Sequence, residues 1–356
     1  QQQGSPLGFI SQANFLRADC AALAAPLRDE RRDEICLDQD ADATEKVLGH
    51  NLVFEKDFGN VQLKTTTGYR DWESIVGSSD LDGLGTYEAA IFSNATLFNG
   101  MPESLLQFIP SIPAAFRGFI ANSPIPTTTQ GGFDTNNVRE HTQFSQEIEL
   151  SGGSDNLEWV VGGFYFKEDG TERNPQNSGF VLDTNNIFLA NFGPLGPGFA
   201  AANPAQFRTV VTEAILDYEA ESESKAVYGQ FTFRPSGLNE RLSLTAGGRY
   251  TEDEKELRKF QDGTAPLAQI NTGEADFNKF TWNVMAGYDL SEEVNLYARV
   301  ATGYRSGGFN ASDQPAPGST TIGGFDEESV ISYEAGFKSQ LFDNRVRLNA
   351  AAYFND

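Results

Sequence analysis

Val294-Asn-Leu-Tyr-Ala-Arg-Val-Ala-Thr-Gly-Tyr-Arg305 begins the stretch that decides the fold. A glycine-rich loop follows, then Ser329–Leu341, a tight Phe342-Asp-Asn turn and Arg345–Phe354. Val294, Leu296, Ala298, Val300, Thr302 and Tyr304 fall on one face of an extended chain. Asn295, Tyr297, Arg299, Gly303 and Arg305 fall on the other, because strand side chains alternate with period two. A strand of about 12 residues is long for a soluble sheet and suits a tilted bilayer crossing. Arg and Asn opposite an apolar face are what the wall of a wet barrel requires.

Working outward, the same rhythm of long strand, short turn, long strand and long loop fills the chain from residue 46. The predicted pairs are Lys46–Lys56 with Val61–Arg70, Arg139–Leu150 with Leu157–Lys167, Ser222–Arg234 with Arg241–Asp253, Phe277–Leu290 with Val294–Arg305, and the last pair above. Long loops are expected near 71–138, 168–220, 256–276 and 306–327. Short turns at one end and long loops at the other are the mark of an outer-membrane barrel. Soluble sandwiches rarely carry such loops at one end only. Aromatic side chains sit near the strand ends: Tyr69, Tyr165, Phe166, Tyr250, Phe280, Trp282 and Tyr304 toward the long loops, and Phe58, Phe231, Phe233, Tyr288 and Phe342 toward the short turns. That distribution predicts two interfacial girdles.

Composition agrees. The 356 residues are 39% apolar, with mean hydropathy −0.40, and no apolar run approaches the ~18 residues of a membrane helix. A net charge of −24 leaves no basic excess to neutralise phosphates, so nucleic acid is an unsuitable partner. Residues 1–45 read as an extracellular loop region. Its two cysteines, Cys20 and Cys36, would pair in an oxidising compartment; two separate buried thiols are the alternative. Asp38–Asp42 begins like a calcium loop, but Ala43 stands where Gly is needed and Gly49 where a bidentate Glu is needed. With no basic and apolar leader at its start, the chain is expected to be the interior piece of a longer precursor.

Several runs resemble the barrel of the TonB-dependent receptors of Gram-negative outer membranes: Gln143–Leu150, Leu157–Phe166, Ala226–Phe231, Leu242–Tyr250, Leu296–Asn310 and Tyr333–Lys338. Their order and spacing carry the resemblance across most of 46–356. It implies an all-β, antiparallel up-and-down transmembrane barrel, of which this chain is a partial wall of about ten strands out of about 22. It further implies energised uptake of a scarce ligand, a siderophore-type iron complex first, with the TonB complex of the inner membrane as partner through a segment outside this sequence. Outer-membrane lipid and lipopolysaccharide would surround it, and a surface lipoprotein is a compatible further partner. The rival readings are a passive porin-like channel and a surface β-protein used in adhesion.

Ligand would meet aromatic loop residues and the upper lumen wall. Trp72, Tyr87, Phe192 and Phe199 are the aromatic candidates, and Arg305 joins them at the loop end of its strand. Arg249, Arg299, Glu334 and Lys338 are expected to line the lumen. His50 and His141 lack companion ligands at zinc spacing, so neither metal nor cofactor is expected. No nucleophile elbow or phosphate-binding loop is present, which argues against an enzyme.

Overall fold

The computed structural model describes residues 9–10, 37, 42–80, 133–183, 189, 193–202, 207–238 and 241–356. Ten long strands dominate: β2 (Asp42–Asp57), β3 (Val61–Asp80), β4 (Phe133–Ser154), β5 (Leu157–Asp183), β6 (Phe207–Phe233), β7 (Leu242–Gly263), β8 (Pro266–Ser291), β9 (Val294–Arg305), β12 (Glu328–Leu341) and β13 (Val346–Asn355). They form one antiparallel meander in that order, each long strand bonded to the next. Two short pieces, β10 (Gly308–Phe309) and β11 (Gly324–Phe325), pair between β9 and β12. A two-residue strand, β1 (Phe9–Ile10), pairs with the far end of β5. A short helix, α1 (Gly196–Ala202), lies between β5 and β6 among the described residues.

The strands extend well past the predicted ends. β5 and β6 each run 27 residues, about 90 Å at ~3.3 Å per residue, whereas a bilayer crossing takes roughly 9–11 residues. Three of the four expected loops are therefore shorter than the sequence suggested. β3 continues to Asp80 and β4 begins at Phe133; β5 continues to Asp183 and β6 begins at Phe207. The region 256–276 is a hairpin with Thr264 and Ala265 at its tip. The reason is physical. Beyond the bilayer both faces are wet, so apolar alternation stops while the backbone ladder does not. Cross-strand charge pairs reinforce these extensions: Arg173 with Asp217 at 2.7 Å, Lys167 with Glu221 at 3.3 Å and Arg258 with Glu219 at 3.2 Å.

Register sorts the side chains into two faces. One row reads Phe54, Thr65, Ile148, Gly163, Val227, Tyr250 and Phe280. The row one residue below it on β7 reads Lys64, Glu149, Gly162, Tyr228, Arg249 and Thr281 on the opposite face. Large side chains of the apolar face stand exposed, Val227 at 63% and Phe280 at 60%. Among the described residues the buried hydrophobic side chains are only Ile215, Ala226, Leu257 and Ile322. A sandwich would bury the apolar face against a second sheet, and none covers it among the described residues. Two girdle assignments change. Phe166 lies on the polar face, stacked on Phe164 with ring centroids 6.4 Å apart, and Tyr304 turns from the apolar face to donate to Asp253.

Candidate functional site

Above β9 the chain does not arch into solvent. β9 leaves β8 after Ala301, and residues 306–327 fold as a strap against the polar face of the β7–β8 extension. The Thr272 amide donates to the Thr320 carbonyl, and the Ile322 amide donates to Thr272. Gly273 has no side chain because Phe309 occupies its place; a Cβ there would lie 2.6 Å from the Phe309 ring. Lys259, fully buried, donates to the Asp262 carboxylate and to the Asp313 carbonyl, each at 2.7 Å. Lys279 holds Glu327 at 2.5 Å, and Gln314 bonds Asp262.

Between this strap and the upper wall is a cavity of about 410 Å³. His141, Glu168, Ser222, Lys255 and Leu257 line it from β4 to β7, and Arg305, Phe309 and Phe325 close it from the strap side. His141 Nε2 lies 3.3 Å from Glu168. Lys255 Nζ donates to Ser222 Oγ, and no carboxylate among the described residues pairs with it. Arg305 is 3.9 Å from Glu328, with both side chains 77% exposed, a geometry worth little in water. The cavity thus offers two cations, an imidazole, two aromatic rings and three carboxylates, Glu168, Glu221 and Glu256.

The carboxylates of the polar face are treated differently. Four tyrosines donate to them: Tyr218 to Glu172 at 2.7 Å, Tyr228 to Glu147 at 2.8 Å, Tyr297 to Glu334 at 2.5 Å and Tyr304 to Asp253 at 2.9 Å. Tyr228 reaches Glu147 across β5, over Gly162. Lower on the same face, Arg249 stacks on Phe164 and Tyr228, and Lys338 lies over Tyr297. Arg249 and Arg299 line a second cavity of about 410 Å³ with Gln230 and Asn283.

Glu172 sits in the extension beyond the apolar band. Burial pushes its carboxyl up, and hydrogen bonds from Tyr218, Asn137 and Arg139 outweigh that, holding it below the usual carboxylate range. Burial and Glu172 push the Tyr218 phenol up to about 12. The signs differ. Glu172 stabilises the fold above its unfolded pKa, and the gain is lost as pH falls through its lowered folded value. Tyr218 stabilises below its unfolded pKa of about 10, and that gain is lost as pH rises toward about 12. Glu172→Gln is expected to flatten the acid limb of unfolding midpoint against pH, and Tyr218→Phe the alkaline limb. Unchanged limbs would mean that the pair contributes nothing.

A family model described as "TonB dependent receptor-like, beta-barrel" matches residues 24–356. The chain belongs to that family. The pesticin receptor of Yersinia pestis is 27% identical over 133 residues, 37% of this chain and 18% of that protein. The pesticin receptor of Yersinia enterocolitica is 26% identical over the same shares. The structure of the ferric yersiniabactin uptake receptor from Yersinia pestis aligns at a TM-score of 0.53 with 16% identity, covering 89% of this chain and 36% of that one. The likeness at that identity concerns the fold. The matched stretch covers less than a fifth of the length of these curated relatives. The receptor is an outer-membrane protein; its apolar face meets lipid and its polar face is the lumen wall.

The predicted residues fall in separate places. Arg305 lines the upper cavity. Trp72 lies on the polar face beside His141, where its indole donates to Glu45 at 2.6 Å. Phe199 falls within α1. Tyr87, Phe192, Cys20 and Cys36 lie outside the described residues. Arg249, Arg299, Glu334 and Lys338 share the polar-face register described above. Sequence reading passed over Lys255, Ser222, Phe309 and Phe325. For Phe309, the signal was its place in a Gly-Gly-Phe-Asn run next to a strand end.

Proposed function

We propose that the receptor imports a scarce ligand, a siderophore-type iron complex first, across the outer membrane with energy delivered through the inner-membrane TonB complex. The observation that carries this reading is the upper cavity, walled on one side by the barrel and on the other by an inward-folded strap, in a chain of the TonB-dependent family. A cavity with a few convergent polar groups and aromatic walls is the usual form of a small-molecule site. Residues 1–45 add an extracellular segment that a Cys20–Cys36 disulfide would close. Lipid and lipopolysaccharide bind the outer face, and a surface lipoprotein would dock above the mouth.

The test is uptake of radioactive iron chelates by cells making the full-length receptor. Uptake is expected to stop when the proton-motive force is collapsed or TonB is deleted. Uptake that continues unchanged in either condition would replace this reading with a passive channel.

A further inference from the structure

Lys259 is a fully buried cation near the end of β7, and a buried charge is costly unless it is paired and hydrogen-bonded. Its partner within β7 is Asp262, three residues on. In a regular strand, side chains three apart point to opposite faces. Here the register slips between them. Tyr218 of β6 pairs with Lys259 while Asp217 pairs with Gln261, and on β8 Asn271 pairs with Lys259 while Pro266 pairs with Gln261. The extra residue, Phe260, makes a bulge, and bulges re-aim side chains. Asp262 thereby stands opposite Leu216 and Lys259 opposite Tyr218, positions two apart on one face of β6. Both charged groups meet the strap. Lys259 Nζ donates to the Asp262 carboxylate and to the Asp313 carbonyl, each at 2.7 Å, and Gln314 donates to the same Asp262 oxygen. A turn in which the Asp313 amide donates to the Asn310 carbonyl at 3.0 Å shapes the strap at that point.

The strap is fastened to the same hairpin along the rest of its length. A Cβ at Gly307 would lie 2.6 Å from the Phe277 ring, and Phe309 covers Gly273. Thr272 exchanges backbone bonds with Thr320 and Ile322, and Ile322 is 1% exposed. Glu327 pairs with Lys279 at 2.5 Å. β9, by contrast, parts from β8 after Ala301. We propose that the strap is a fixed inner wall of the β7–β8 hairpin, with Lys259 as its positioning residue, and not a lid that swings with the strands it joins. The mouth cavity is therefore preformed and keeps its shape whether or not a solute fills it. This concerns the build of the mouth and does not depend on the transport reading above.

The test is amide hydrogen exchange on the full-length receptor purified in detergent, which reads local opening segment by segment. In the parent, the strap amide of Ile322 is expected to be as protected as the β7–β8 ladder. Lys259→Met should speed exchange across the strap at least about tenfold and leave β4 and β5 unchanged. Gln314→Ala removes only the strap's own grip on Asp262 and should speed strap exchange about threefold; it decides the matter should Lys259→Met fail to fold. Thr272 and Thr321 are bridge partners, at a separation of about 4.4–6.8 Å that a disulfide can span. The double substitution Thr272→Cys and Thr321→Cys should therefore cross-link, and adding it to Lys259→Met should return the strap to parental protection. Strap amides that exchange in the parent like an unstructured peptide overturn the proposal in favour of a lid. Strap protection indifferent to both Lys259→Met and Gln314→Ala overturns it too. Loss of protection along β7 and β8 together with the strap, not recovered by the cross-link, would make Lys259 a support of the hairpin and not the residue that positions the strap.

Discussion

Gly162→Val is expected to destabilise the receptor by about 3–5 kcal/mol, enough to leave little of it folded. A Cβ at Gly162 would lie 2.5 Å and 2.6 Å from the ring and hydroxyl of Tyr228, and 2.9 Å from the Ile148 carbonyl. The carbonyl belongs to the sheet and cannot move aside. The ring cannot lift without giving up its bonds to Glu147 at 2.8 Å and Glu149 at 3.3 Å. Overpacking costs about 1–3 kcal/mol, and losing a hydrogen bond to a charged group about 1.5–3 kcal/mol. The measurement is the urea midpoint of the detergent-folded receptor, with heat-modifiable gel migration as the readout of folded yield. Tyr228→Ala on top of Gly162→Val should recover most of the steric part. A Gly162→Val receptor with the parent's midpoint would show that Tyr228 does not lie across β5.

The second large effect distinguishes the two faces at adjacent positions. Val284 is on the apolar face, 46% exposed, near the middle of the band. Asn283, next to it, faces the lumen, where its amide lies 3.5 Å from Gln230. Val284→Arg should cost about 2–4 kcal/mol, the range for a cation on the lipid face near the bilayer midplane. Asn283→Arg should fall within about 0.5 kcal/mol of the parent, because the lumen is wet. Folding yield into lipid vesicles and the urea midpoint would both be measured. If Asn283→Arg were the costlier change, the assignment of lumen and lipid would be reversed.

Ten strands were legible because lipid on one side and water on the other impose period two, as in Leu242–Tyr250. Their upper ends were not. In Glu219-Ala-Glu-Ser-Glu223 the carboxylates alternate onto one face, but a strand wet on both sides looks like a solvated loop. What holds it there is long-range: Glu219 meets Arg258, and Glu221 meets Lys167. The candidate site divides the same way. Arg305 could be singled out because it ends a recognisable strand. Lys255 could not, because it reads as one charge in an Asp-Glu-Lys-Glu run, and its exposure to the cavity depends on which face the ladder assigns it. Phe309 and Phe325 needed the inward turn of the strap, which follows from Phe309 filling the space over Gly273, 36 residues earlier in sequence. Periodicity carries no information about a contact of that kind.

The meander order has a consequence for how the wall assembles. Each long strand bonds the long strand that follows it, so the sheet can grow from hairpins by short chain closures, and no distant segments need to meet first. Closing a loop of the length between β7 and β8 costs little entropy, and doubling a loop adds only about 0.6 kcal/mol. The strap changes that pattern locally. Its contacts with Thr272 and Gly273 can form only after β8 and β9 are both in place, so the mouth cavity is completed after that part of the wall. A nascent wall would therefore present its ladder from β4 to β8 before the cavity exists.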